Sequence, residues 1–325
     1  MNNRIPISVK DCRYPISIDI DPDARIDVLI LDKQVAMCVA AASEALKSPS
    51  PTLTEFQRMH FSELFHSMKW THASIRDLLR HETTKPMSVD AMSLVRTQLE
   101  SLYAICLLVE SPTYLSVYLK DSWKKLYIRF LLQREECQSL GRFSKYINEQ
   151  AIPILEQMAS LIGVSPDEML TIDYDELGQS PPPGFVPKRI SKFPSPRAII
   201  RLTTDADRIR MLTRLYPEYQ FLCSFVHVSP HPGMFKIMLD DRHPLRNLFK
   251  SKNMDHMFQG QIAGPALTID LISVAQGCAE ILTHCRSNLD LLKAIEGAWK
   301  VIADSTLLGR VIWEIRTRKL LGVIG

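Results

Sequence analysis

The sequence predicts an all-α fold: a multi-helix bundle with a short extended N-terminal arm and a Pro-rich central loop. Three observations lead there. Glycine is scarce, 12 in 325 residues, while Leu, Ala, Met, Lys and Glu are common, which suits helices better than sheets joined by tight turns. Apolar residues recur at three- and four-residue intervals along most of the chain. Cap residues and prolines stand between those stretches in the order that starts and stops helices.

Composition narrows the function classes. The length accommodates one large domain or two. A net charge of +3 is too small to imply nucleic acid unless cations cluster locally. Seven cysteines, at 12, 38, 106, 137, 223, 278 and 285, are never spaced C-x-x-C. They point to reduced thiols in a cytoplasmic protein, against a disulfide framework or zinc ribbon. The opening Met1-Asn2-Asn3-Arg4-Ile5-Pro6 lacks the apolar stretch of a secretory signal. The apolar run Ile262 to Leu282 carries Asp270, Gln276 and Glu280, so it reads as a core helix and no membrane contact is expected.

In chain order, residues 1–22 alternate loosely (Ile5, Ile7, Val9; then Ile16, Ile18, Ile20) around Pro6 and Pro15. This predicts an arm or hairpin that packs on the body or on a second subunit, as in a homodimer. The body is expected as one domain in two parts, 23–170 and 204–325. The first helix spans about Asp23 to Lys47 and is closed by Ser48-Pro49-Ser50-Pro51. Thr52 or Thr54 caps the second, which reaches about His81. A third runs from Met87 to Glu110, and Ser111-Pro112 starts the fourth, Tyr114 to about Leu140, with Lys120, Lys124, Lys125 and Arg129 as a basic outer face. A fifth, Arg142 to Ile162, is interrupted at Pro153. Ser165-Pro166-Asp167-Glu168 has the spacing of a capping box.

Residues 171–203 break the pattern with six prolines. From Ser180 to Thr203 they carry Lys188, Arg189, Lys192, Arg197 and Arg201, no acid, and the interleaved Phe185 and Phe193. This reads as a mobile, solvated connector, or as a lid for an anionic partner. Thr204 or Asp205 then opens a helix reaching His227, bent at Pro217. After a mixed loop to about Gly260 come two helices, Pro265 to Arg286 and Asn288 to Leu321. Their short connection makes them an antiparallel pair, the second broken near Asp304-Ser305.

Candidate site residues come from two of these helices. Tyr219, Cys223 and His227 lie at i, i+4 and i+8 among Phe221, Leu222, Phe225 and Val226. Arg96 and Glu100 stand one turn apart among Leu94, Val95, Leu99 and Leu102, in a helix apolar nearly all round from Leu99 to Val109. Such a helix is expected to be buried, and its charges then need each other or a third partner. The two helices are expected to pack with Arg96, Glu100, Tyr219 and His227 in one cluster. His227, Arg96 and Glu100 are the candidate catalytic groups, and Tyr219, Ser224 and Ser229 the candidate binding groups.

Arg96-Thr97-Gln98-Leu99-Glu100, followed by Tyr219 and Cys223-Ser224-Phe225-Val226-His227-Val228-Ser229, resembles an uncharacterised family of bacterial all-helical proteins. That family carries R-[ST]-x-x-E on one helix and Y, then V-H-x-S, on a later one. The match covers roughly residues 60–235, with Cys223 where the pattern has Ser. It implies a helical fold and no particular reaction. Separately, Arg76-Asp77-Leu78-Leu79-Arg80-His81 resembles the R-polar-x-x-x-H signature of the helical nucleotide-binding ribonuclease superfamily of toxins and antiviral defence. That resemblance implies metal-independent RNA cleavage, with Arg76 stabilising charge and His81 moving the proton. The plainer account is a histidine at a helix end, where the dipole favours it.

Glu63 and His66 have di-iron E-x-x-H spacing, but no second such pair occurs, so no metal is expected. Without a P-loop, dinucleotide fingerprint or nucleophile elbow, no cofactor is expected either. Two readings stand: the cluster lines a pocket for a small anion, nucleotide or RNA, or it is a hydrogen-bond network that fixes helix register while function lies in protein contacts.

Overall fold

A computed structural model describes residues 28–47, 53–80, 89–226, 236, 244, 264–282 and 289–322. The arm or hairpin expected at 1–22 lies outside them, as do His81, His227 and Ser229. Every regular element among the described residues is helical. The α-helices are α1 (Val28–Lys47), α2 (Glu55–Arg80), α3 (Ala91–Glu110), α4 (Tyr114–Ser139), α5 (Ile152–Leu161), α6 (Pro166–Leu177), α7 (Pro196–Leu202), α8 (Ala206–Cys223), α9 (Gly264–Leu282), α10 (Leu289–Ser305), α11 (Leu307–Ile312) and α12 (Arg318–Leu320). Two π-helical turns, Ile147–Ala151 and Trp313–Thr317, run directly into α5 and α12.

Local chemistry sets these boundaries. The Thr54 hydroxyl accepts from the Gln57 amide at 3.2 Å, and the Gln57 side chain accepts from the Thr54 amide at 2.8 Å, a reciprocal cap that starts α2. Ser165 and Glu168 do the same for α6, which closes on Gly178 in the left-handed region at φ 64°. Asp205 caps α8 by accepting from the Arg208 amide at 2.9 Å. Thr306 accepts from the Gly309 amide at 3.0 Å and starts α11, which places the break after Asp304-Ser305 where the sequence predicts it. Pro153 falls in the first turn of α5, where its missing N–H costs nothing, and the irregularity sits just before it as the wide turn 147–151. Pro217 lies inside α8, which continues through it to Cys223.

The chain forms two compact units, Met1–Glu110 with Pro196–Gly325, and Ser111–Ser195. In the first, α9 is the axis: all 19 of its residues are buried, against α1, α2, α3 and α10. Gly277 allows a close approach, since a Cβ there would lie 3.1 Å from Ile105 Cδ1 of α3. By length and composition α3 and α9 could each cross a membrane, but 67% and 100% of those segments are buried inside the fold.

In the second unit, Trp123, Tyr127 and Leu131 of α4 pack on Ile147, Ile152, Leu155, Ala159 and Ile172. Ile190 joins the same core, so the Pro-rich stretch differs from a free connector. Its first seven residues complete α6 and its last include α7. Between them the Lys188 amide donates to Thr171 Oγ1 at 3.0 Å, Lys188 pairs with Asp167 at 2.6 Å and Arg189 with Asp175 at 3.2 Å. The segment 180–203 holds no acid of its own, and Lys188 and Arg189 meet carboxylates of α6 instead. Lys120 likewise departs from the expected outer face, reaching Glu168 at 3.0 Å.

Candidate functional site

Three of the four expected cluster residues meet where α3 packs on α8. Arg96 Nη2 donates to Glu100 Oε1 at 2.8 Å and lies 3.5 Å from the Tyr219 hydroxyl, which donates to the same Glu100 oxygen at 3.0 Å. The guanidinium carbon stands 5.6 Å from the Tyr219 ring centroid, within cation–π range. Tyr216 stacks on Tyr219 at 6.0 Å, and Tyr103 donates to the Leu212 carbonyl at 2.7 Å, tying the same two helices one turn along.

The helices were expected to bury this cluster. They bury its neighbours, Leu99 and the run Leu102 to Val109, but leave the Arg96 and Glu100 side chains 20% and 38% exposed. The face of α3 is the reason: Gln98, between the two, is buried against Asp270 of α9, while Arg96 and Glu100 lie on a flank that still partly faces water. Burial works against the Arg96 charge, but the Tyr219 hydroxyl and Glu100 outweigh it and hold the guanidinium firmly protonated. Burial, followed by Cys223 and Glu100, pushes the Tyr219 phenol up to about 12 despite Arg96, so it stays a donor at neutral pH.

The other candidates fall elsewhere. Ser224 follows the end of α8 and its hydroxyl donates to the Phe221 carbonyl at 2.7 Å. Arg76 lies 3.6 Å from its neighbour Asp77 near the end of α2. Glu63 approaches His60 at 3.9 Å, whereas His66 Nδ1 is 2.7 Å from the Ser62 carbonyl, so the E-x-x-H spacing does not bring that pair together.

Sequence reasoning missed the more deeply buried polar clusters, both centred on α9. Arg208 Nη2 and Arg316 Nη2 lie 2.7 and 2.9 Å from Glu280 Oε2, with Arg316 Nε 2.8 Å from Oε1. Arg208 Nη1 also reaches Glu110 at 2.6 Å, and Arg316 Nη1 reaches Asp205 at 2.8 Å. Gln276 donates to Glu280 at 2.9 Å and accepts from Thr317 at 2.7 Å. The π-turn 313–317 contributes two consecutive side chains, Arg316 and Thr317, to this one helix face. Burial alone would raise the carboxyls, but Arg316 and Arg208 hold Glu280 below its usual range. Hydrogen bonds from Thr204 and Arg208 do so for Glu110, and the Arg208 amide and Arg316 for Asp205.

The second cluster joins α2, α3 and α9. His72 Nδ1 is 2.5 Å from Asp270 Oδ2, and Gln98 donates to Asp270 Oδ1 at 2.8 Å and to the Met68 carbonyl at 2.9 Å. The signal was present: Asp270, Gln276 and Glu280 interrupt an apolar run, and polar groups there demand partners. Apart from the Gln276–Glu280 pair itself, their partners lie 36 to 198 residues away in sequence, beyond the reach of any local pattern. The chain matches no protein-family model, no curated protein and no solved structure.

Proposed function

We propose that the protein is a non-enzymatic, cytoplasmic helical interaction protein, in which Arg96, Glu100 and Tyr219 form a clasp between α3 and α8. The Tyr219 hydroxyl carries this reading: it bridges Arg96 and Glu100, and Glu100 already neutralises the guanidinium. An anionic ligand at Arg96 would have to displace that carboxylate or lie beside it, at a repulsive cost. The buried free thiols Cys38, Cys106 and Cys278 support the cytoplasmic assignment.

The test has two arms. In thermal melts, Arg96→Met and Tyr219→Phe lower Tm, Arg96→Lys less so. In titrations with ATP, GMP and inorganic phosphate, and in incubation with structured RNA without metal, wild type shows neither micromolar binding nor cleavage. Nucleotide binding lost in Arg96→Met, or RNA cleavage lost in folded His227→Ala or His81→Ala, replaces this reading with the ligand-pocket or ribonuclease one.

A further inference from the structure

Helix α2 is patterned on both of its faces. Phe61, Phe65, Met68 and Ile75 are buried in the core of the first unit. Opposite them, Phe56, Met59, Glu63, His66, Trp70 and Ala73 follow one another at alternating steps of three and four residues, the a and d spacing of a coiled coil. They fall within an arc of about 100°, centred on the side of the helix turned away from that core. Phe56, Met59 and Trp70 are 44%, 54% and 74% exposed. Packing into its own domain needs one apolar stripe, so three large apolar side chains in the middle of the other face call for a partner.

The order of side chains along this stripe is self-complementary. Antiparallel helices set an a position against a d position, and a two-fold axis crossing α2 between Leu64 and Phe65 does so throughout. It places Phe56 opposite the second copy's Ala73, Met59 opposite its Trp70, and Glu63 opposite its His66. Each layer matches: a large ring over a methyl, a thioether against an indole, a carboxylate against an imidazole. His66 Nδ1 is 2.7 Å from the Ser62 carbonyl, which leaves Nε2 as the outward nitrogen. Among the described residues Glu63 approaches only His60, at 3.9 Å, and burial lowers His60 below its ordinary 6.5, so Glu63 is not neutralised within its own chain. Lys69, which makes no ion pair among the described residues, flanks the same central layer. Beyond the last layer Glu55 meets the Arg76–Asp77 pair, whose charges offset each other. Parallel pairing in register would instead stack Glu63 on Glu63. Carboxylates at Glu63 and Asp77 in the line of the stripe also disfavour a bilayer and repel a phosphate backbone. The layers span about 27 Å of helix and bury on the order of 500 Å² per copy, the small end of specific interfaces.

We propose that the protein forms a two-fold, antiparallel dimer through the outer face of α2, with Glu63 and His66 of the two copies at its centre. This goes beyond the Arg96 clasp, which needs no second copy, and each can fail without the other. The test is sedimentation velocity on a dilution series of the full chain, joined to crosslinking that reads the direction of the two helices.

Wild type is expected to show a monomer–dimer equilibrium with micromolar Kd. Trp70→Glu, at a largely exposed position, should weaken it tenfold or more with unchanged circular dichroism. Glu63→Lys and His66→Glu should each weaken it as well, and the two variants mixed should pair at least tenfold more tightly than either does with itself, because the introduced charges meet in one central layer. Met59→Cys and Trp70→Cys chains, mixed and oxidised with diamide, should give a disulfide-linked dimer that neither variant gives alone. A wild type that stays monomeric into the high micromolar range overturns the proposal. So does a dimer untouched by Trp70→Glu, a dimer crosslinked by Met59→Cys alone, as parallel pairing would allow, or a monomer that binds phosphatidylserine vesicles and loses that binding in Trp70→Glu.

Discussion

Tyr219 and Glu280 show how differently two polar residues act at different depths. The Tyr219 hydroxyl sits at a half-open junction, so its removal in Tyr219→Phe should cost only about 1 kcal/mol in urea unfolding. Because Glu100 is more than a third exposed, the Arg96 pair adds less than about 1 kcal/mol of its own. A double-mutant cycle between Tyr219→Phe and Glu100→Gln should show measurable coupling, and strict additivity would refute the clasp. Glu280 is fully buried between two guanidinium groups. Glu280→Gln leaves Arg208 and Arg316 facing each other with less compensation and should cost about 3–5 kcal/mol.

The sign of the pH response follows from the same groups. Glu110, Asp205 and Glu280 all have folded pKa values below their ordinary 4.5, 3.8 and 4.5. Their contribution is therefore complete above those ordinary values and is lost as pH falls below them toward the folded ones. Tm of the wild type should fall steadily on acidification below about pH 4.5, and Glu280→Gln should show a shallower fall over the same window. A wild-type Tm that stays level down to pH 3 would contradict the network.

At the scale of elements, the sharpest constraint is the junction between α10 and α11. A Cβ on Gly309 would stand 2.6 Å from Thr306 Oγ1 and 2.7 Å from the Ile302 carbonyl, and a backbone oxygen cannot move aside cheaply. Gly309→Ala should destabilise by about 1–3 kcal/mol in a denaturant titration, as overpacking does. A variant as stable as wild type would mean that the junction is loose. Ser165→Ala, which removes one half of the α6 capping box, should cost about 1 kcal/mol by the same measurement. Caps of this kind were legible in the sequence, because Ser165 and Glu168, or Asp205 and the amide of Arg208, are three residues apart and their geometry is local. The π-turns at 147–151 and 313–317 were not: a wide turn has no cap residues and shows itself only through what it aligns.

For the whole molecule, the division into two units has its own consequence. The core built on Trp123, Tyr127, Leu131, Ile147, Ile152, Leu155, Ile172 and Ile190 lies wholly within Ser111–Ser195. A fragment of those residues should therefore unfold cooperatively, with a near-UV signal from the Trp123–Tyr127 stack at 4.9 Å. A featureless near-UV spectrum would show that the unit depends on the rest of the chain. In the intact protein, Lys188 and Arg189 should resist trypsin better than a free linker, since their carboxylate partners and the burial of Ile190 hold that backbone down.

The sequence by itself determined the helical class, nearly every helix among the described residues, the capping box at Ser165, the helix starts at Thr52 or Thr54 and at Thr204 or Asp205, and the meeting of Arg96, Glu100 and Tyr219. These rest on spacings of three and four residues, or on two helices each marked by polar residues in apolar surroundings. Tertiary structure alone decided that α9 is the axis, that Glu280 lies between Arg208 and Arg316, that Asp270 lies against His72, and that Ile190 closes a core rather than crossing solvent. Burial and ion pairing between distant residues depend on how helices stack, and a helix carries the same apolar stripe whether that stripe is covered, as in α9, or left open, as on the outer side of α5.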